Sequence, residues 1–200
     1  MAISLTFQRY LATKNVVYDI VAHAPTKSSM RTAEASRISG DRVAKAVVLR
    51  DEYGYVLAIL PASHHIRLDD LRMQLGLDVE LADEYEIEEL FDDCVPGAIP
   101  AVGECYGLDT VVDDSIEEQP EVYLEGGDHA TLVHMTHAQF ASLTATARHC
   151  GCAATVKTGK SGSVNCAYLA FSAAVFAGSS SSKMSLPSTA AKGVAGRPAL

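Results

Sequence analysis

Apolar stretches in the first half of the chain follow two different periods, and polar residues punctuate them. Ser4 followed by Leu5, Phe7, Tyr10 and Leu11 predicts an N-capped helix over 4–14, with those four side chains gathered for burial and Asn15 ending it. Residues 16–21 have the β-branched and aromatic content of a strand. The polar stretch 23–30, with Pro25, predicts a loop, and 32–39 a short helix closed by Gly40. Residues 43–50 and 55–60 are strand patterns flanking Asp51-Glu52-Tyr53-Gly54, a hairpin connection, and Pro61 stops the second strand. Helices are expected over 68–75, with Gly76 behind it, and over 83–91, whose acidic start suits the helix dipole.

The window 94–103 breaks both periods. Pro96, Gly97, Pro100 and Gly103 exclude regular structure, yet most of the other residues are apolar. A surface linker would be polar, so this segment is expected to wall a pocket. Short strands follow at 110–112 and 121–125, then a turn at Gly126-Gly127-Asp128 and a return strand over 130–135. Thr136 and Gln139 fit the capping box of a last helix running to Ala147. From Arg148 onward the chain is rich in Ser, Ala and Gly and holds no acidic residue. Its apolar run at 167–177 is about half the roughly 20 residues of a membrane span. Residues 1–147 are therefore expected to form the domain, and 148–200 a poorly ordered appendage.

Composition narrows the class. At 200 residues and 48% hydrophobic, the chain suits one domain with a real core. The first fifteen residues lack the basic flank and apolar run of a signal peptide, and nothing reads as a membrane segment, so a cytoplasmic address is expected. The five cysteines show no CxxC pair and are expected as free thiols. Cys150-Gly151-Cys152 stands too isolated for zinc, and no metal or cofactor is anticipated. The net charge of −9 is unevenly spread: residues 73–147 hold eighteen acids and no Lys or Arg. The basic residues cluster early, from Lys27 to Arg72, which permits a local positive face on an acidic protein.

Lys45 is the informative position. Alternation along a strand puts Val43, Lys45, Val47 and Leu49 on one face, so the lysine is the single charge on an oily surface. Its ammonium must either snorkel to an edge or stand in a pocket where an anion compensates it, and the pattern leaves both open.

The runs Thr32-Ala33-Glu34-Ala35-Ser36 and Asp41-Arg42-Val43-Ala44-Lys45-Ala46-Val47-Val48-Leu49 resemble the YbaK-like editing family, which is related to the editing insertion of bacterial prolyl-tRNA synthetases. Residues 57–63, the glycine/proline segment 96–103 and Tyr123-Leu124-Glu125-Gly126-Gly127-Asp128-His129 are similar to later parts of that family, in the same order. The resemblance implies a mixed α/β fold with a curved, mostly antiparallel sheet surrounded by helices. It also implies hydrolysis of mischarged aminoacyl-tRNA in trans, on a small amino acid such as Ala, Ser or Cys, with proline tRNA as a candidate carrier. Lys45 then corresponds to the family's signature active-site residue, and Gly97, Ala98, Ile99 and Pro100 to the wall of the aminoacyl pocket. Gly103, Ser63, His64 and His129 are candidate substrate contacts, although a turn histidine such as His129 is also readily explained as solvated. Arg31, Arg42 and Arg67 are candidate phosphate contacts. Backbone N–H groups around Gly97–Ile99 are expected to stabilise an oxyanion. Two other readings compete: a non-catalytic module that binds an aminoacyl end, and a domain that docks on a synthetase through the acidic 73–147 segment.

Overall fold

The computed structural model describes residues 3–76 and 78–155. Helix α1 (Leu5–Thr13) leads into strand β1 (Asp19–Ala22), helix α2 (Ser29–Ser36), strands β2 (Val43–Arg50), β3 (Tyr55–Pro61) and β4 (His64–Ile66), and helix α3 (Leu68–Leu75). Strand β5 (Glu80–Leu81), helix α4 (Glu84–Leu90), a 3-10 turn (Glu104–Tyr106), strand β6 (Asp109–Asp113) and helix α5 (Asp114–Glu117) follow. The described chain ends with β7 (Glu121–Glu125), β8 (Thr131–Thr136), α6 (His137–Leu143), β9 (Arg148–Cys150) and β10 (Ala153–Thr155).

The main sheet runs β1-β8-β7-β2-β3-β6-β9, with β5 added to β2, and a small second sheet pairs β10 with β4. The hairpins β2–β3 and β7–β8, with β1–β8 and β2–β5, are antiparallel. The joins β7–β2, β3–β6 and β6–β9 are parallel. Antiparallel pairing dominates, as the resemblance implies, and helices cover both faces. Ala44, Val48, Leu57, Ile59, Val112, Leu124 and Val133 turn one face toward Phe7, Phe91 and Phe140. Val47, Leu49, Val56 and Leu60 turn the other toward Leu71 of α3, while Val43 and Ala62 meet Ala33 of α2. The alternate residues of β2 therefore feed two different cores, which makes that strand two-sided. Among the described residues no helix is long and apolar enough to cross a membrane.

Several boundaries move for identifiable reasons. Leu5 stays 51% exposed, because Phe7 and Leu11 alone carry the buried stripe of α1. Strand β1 begins at Asp19, where pairing with His134 starts, so Val16–Tyr18 lie outside it. Helix α2 starts three residues early: the Ser28 hydroxyl caps it by accepting from Arg31 N–H, and Arg37, in a left-handed conformation at φ 58°, ends it. Gly40 is thus no helix cap. A Cβ there would meet Met30 Sδ at 2.8 Å, so the position is small because the chain packs closely. The capping box of α6 forms as read, but the helix stops at Leu143.

The expected domain boundary at 147 falls inside the fold. Strand β9 extends the main sheet beside β6, and β10 pairs with β4. Edge strands recruit a partner by backbone pairing, which composition does not reveal. Cys150 and Cys152 are disulfide-bonded rather than free. Both turn into the Val47–Leu60 core where the chain passes from one sheet to the other. The Asp113 carboxylate holds that crossing by accepting from Cys152 N–H at 2.8 Å and Ala153 N–H at 2.7 Å. Residues 156–200, on which the expectation of an appendage rests, lie outside the described residues.

Candidate active site

Lys45 sits on β2 between Val43, 1% exposed, and Val47, 6% exposed, and is itself half-buried. Its amine does not run out to solvent. It donates to the backbone carbonyl of His64 on β4. Burial lowers its pKa to about 8, because a low-dielectric surrounding disfavours the ammonium form. Ser63 stands beside this contact, with its hydroxyl donating to Asp41 and 2.9 Å from His64 Nδ1. His65 is exposed, as expected for the alternate residue of the strand.

The strand next to Lys45 brings in a group that the sequence reading missed. β2 and β7 run parallel for two register pairs, Val43 with Tyr123 and Ala44 with Leu124. Beyond them β2 regains a strand neighbour on that side only at Leu49 and Arg50, through β5. Continuing the register by one step sets Lys45 level with Glu125, and both belong to the face of Val43 and Tyr123. Glu125 keeps 12% of its side chain exposed, and its Oε1 has no hydrogen-bond partner among the described residues. Burial, and then the Asp128 charge, raises its carboxyl to about 7. In the sequence, alternation opposite Val122 and Leu124 makes Glu125 look like a solvated strand-end acid, so the deficit emerges only from the fold.

His129 connects this carboxyl to the glycine/proline segment. It occupies the left-handed region at φ 61°, unusual for a side-chain-bearing residue. Its Nε2 donates to the Pro96 carbonyl at 2.8 Å, which leaves Nδ1 3.9 Å from Glu125 Oε1. The turn is pinned on both sides: Val95 N–H donates to Gly127 O at 2.8 Å, and Thr26 N–H to His129 O at 3.1 Å. Gly97 is left-handed at φ 84°, and a Cβ there would lie 3.4 Å from His129 Cε1. Among the expected oxyanion donors, Ala98 N–H is spent on Val95 O at 2.9 Å. The N–H groups of Gly97 and Ile99 have no partner among the described residues.

The rest of that segment does not face Lys45 as expected. Ala101 and Val102 pack with Ala44 and Val48, on the opposite side of β2. Ala98 and Pro100 are buried, and only the Pro96–Gly97 end meets His129. A 280 Å³ cleft lies between Ile87, Glu88 and Phe91 of the α4 region and Val95, Pro96, Gly97 and Ile99, and Lys45 is not among its walls. Gly103 is a packing residue: its missing Cβ would fall 2.4 Å from Thr110 Oγ1 and 3.1 Å from Leu57 Cβ. The expected phosphate contacts are dispersed. Arg31 is exposed on α2, while Arg42 pairs with Glu121 and Arg67 with Asp70.

Among the described residues neither free cysteine is poised as a nucleophile. Burial pushes the thiols of Cys94 and Cys105 up, and Cys105 Sγ donates to Val102 O at 3.0 Å. Among the described residues, the acid, Cys and His groups compact enough for a metal are Asp113–Cys150–Cys152 and Asp114–Glu117–His149, and neither contains a residue of the Lys45–Glu125–His129 set. In the first, Asp113 is committed to backbone N–H groups and the sulfurs to each other.

The architecture recurs in solved structures. A candidate trans-editing enzyme for prolyl-tRNA synthetase superposes with a TM-score of 0.64 at 22% identity, over 74% of this chain and 94% of that one. A hypothetical protein matches with a TM-score of 0.65 at 18% identity, over 74% and 99% of the two chains. A scaffold designed for epitope presentation gives 0.65 at 20% identity, over 77% and 100%. At these identities the likeness concerns the fold. No curated protein matches the chain. The family model of the aminoacyl-tRNA editing domain matches residues 23–143, a span that takes in Lys45, the glycine/proline segment and His129, and the chain belongs to that family.

Proposed function

We propose that this protein is an editing deacylase that hydrolyses the ester between a wrongly attached small amino acid and the terminal adenosine of a tRNA. Alanine, serine and cysteine are the candidate acyl groups, proline tRNA is a candidate carrier, and the site of action is cytoplasmic. The observation that carries the reading is the half-buried Lys45 amine, held by one backbone carbonyl in a chain of the editing family.

An aminoacyl ester is already activated, so positioning and charge stabilisation are the main tasks. Water adds to the ester carbonyl carbon, and negative charge grows on the carbonyl oxygen. The free N–H groups of Gly97 and Ile99 are the donors for that oxygen, and glycine at 97 lets the acyl group come close to the backbone. The tetrahedral intermediate then expels the ribose oxygen, which takes up a proton, releasing free amino acid and uncharged tRNA. Lys45 offsets the negative charge of the tRNA terminus or of the intermediate. The neighbouring ribose hydroxyl assists the attacking water.

The test is a deacylation panel with alanyl-, seryl- and cysteinyl-tRNA, with and without the protein. At least one ester should be lost rapidly. The Lys45→Ala variant should be on the order of 100–1000-fold slower, the usual consequence of removing one such electrostatic contact. Undiminished hydrolysis by the variant would remove Lys45 from the mechanism.

A further inference from the structure

We infer that Glu125 is the receptor for the free α-ammonium group of the aminoacyl ester, so that this site selects esters with an unblocked amine. This rests on the deacylase reading and assigns a substrate contact within it. A carboxyl withdrawn from water needs either a proton, a donor or a cation. Glu125 has no fixed donor or cation among the described residues, which leaves a shared proton as its only relief in the free protein: its Oε1 is buried without a hydrogen bond, and His129 Nδ1 is 3.9 Å away. Among the described residues, Lys45 is engaged with the His64 carbonyl and Arg42 with Glu121. The second acid of the turn, Asp128, is fully used by Ala130 N–H and the Thr131 hydroxyl, each at 3.0 Å.

The compensating charge is therefore expected to arrive with the ligand. A free α-amino group has a pKa of roughly 8 and is largely charged at neutral pH. The spacing also suits the ester. The His129 ring neighbours both residues: a Cβ on Gly97 would lie 3.4 Å from its Cε1, and its Nδ1 is 3.9 Å from Glu125 Oε1. An ester with its carbonyl oxygen on the Gly97 and Ile99 N–H groups and its ammonium on Glu125 would sit beside His129, with two bonds separating the carbonyl carbon from the amine nitrogen. His129 would hold both anchors in place through its bond to Pro96.

The experiment compares each of the three aminoacyl-tRNAs of the panel with its N-acetyl derivative, using wild type and Glu125→Gln. For the wild type, acetylation should slow hydrolysis by about 30-fold or more, the low end for a buried charge pair that loses one partner. Glu125→Gln should slow the free-amine ester to a similar degree and leave the acetylated ester unchanged, erasing the preference. Equal wild-type rates on both esters, or a preference that survives in Glu125→Gln, would overturn the assignment of Glu125 alone. A wild type that hydrolyses neither kind of ester would overturn the deacylase reading itself. The acetylated substrate gives an answer with the unaltered protein, so the test does not hang on the folding of the variant.

Discussion

Replacing Lys45 with Met should abolish deacylation and, near neutral pH, make the protein more stable. The amine is lowered from its ordinary 10.5 to about 8 by burial. At about 1.4 kcal/mol for each tenfold change in proton affinity, holding that charge costs the folded state about 3 kcal/mol. Methionine is of similar length and carries no charge, but it leaves the His64 carbonyl without its donor, a loss of about 1 kcal/mol. The variant should therefore be more stable by about 2 kcal/mol at pH 7. The sign follows from linkage. Below pH 8 the lysine is protonated in both folded and unfolded chains, and the full cost weighs on the fold. Between pH 8 and 10.5 the unfolded chain binds the proton better, so wild-type stability rises with pH relative to the variant. Near pH 10.5 the order should reverse by about 1 kcal/mol, since only the lost hydrogen bond remains. Urea unfolding of both proteins at pH 7, 8.5 and 10 reads this directly, and other titrating groups cancel in the difference. A variant less stable than wild type at pH 7, or a difference that does not change with pH, would refute the reasoning.

Gly97→Ala should cut deacylation at least tenfold while costing about 1–2 kcal/mol, because φ 84° disfavours a side chain and the new methyl, in contact with His129, fills the space beside the backbone; kinetics with a melting curve separate the two effects. Gly103→Ala should act on stability, by about 1–3 kcal/mol in a denaturant titration, since its Cβ would overlap Thr110 Oγ1 at 2.4 Å in a packed interior. Asp113→Ala should cost about 3 kcal/mol by stranding the Cys152 and Ala153 N–H groups, and hydrogen exchange at those two amides should accelerate.

Legibility in the sequence tracked how local the controlling physics is. The β2–β3 hairpin and α3 with its Gly76 cap are fixed by alternation and turn chemistry within a few residues, and both match. Helix α2 was misplaced because Ser28 competes with its neighbours as a cap, and a left-handed Arg37 cannot be anticipated from residue type. Strands β9 and β10 were missed because their stability comes from β6 and β4, far away in sequence. At the candidate site Lys45 was readable as one charge in an oily strand. Its tie to His64, the burial of Glu125 and the His129–Pro96 bond all depend on how separate hairpins meet. The glycine/proline segment is irregular and apolar as read, but most of it packs on the face of β2 away from the lysine, because Ala44 and Val48 offer the matching apolar surface there.

Where those hairpins meet also explains why the chemistry belongs at this point. β7 leaves β2 after Ala44, and β5 joins at Leu49, so the edge of β2 from residue 45 to 47 lacks a strand partner among the described residues. At about 3.3 Å per residue that opening is roughly 10 Å long, enough for an aminoacyl group and part of a ribose. Three locally unfavourable features border it: an amine lowered to about 8, a carboxyl raised to about 7 without a donor, and a histidine at φ 61°. Met, Gln and Gly at those positions would relieve all three, at the cost of the bonds that Lys45 gives His64 and His129 gives Pro96. A ligand that brings an anion for Lys45 and a cation for Glu125 would satisfy both charges at once, and an aminoacyl-tRNA terminus, with its phosphates and its α-ammonium, carries that combination.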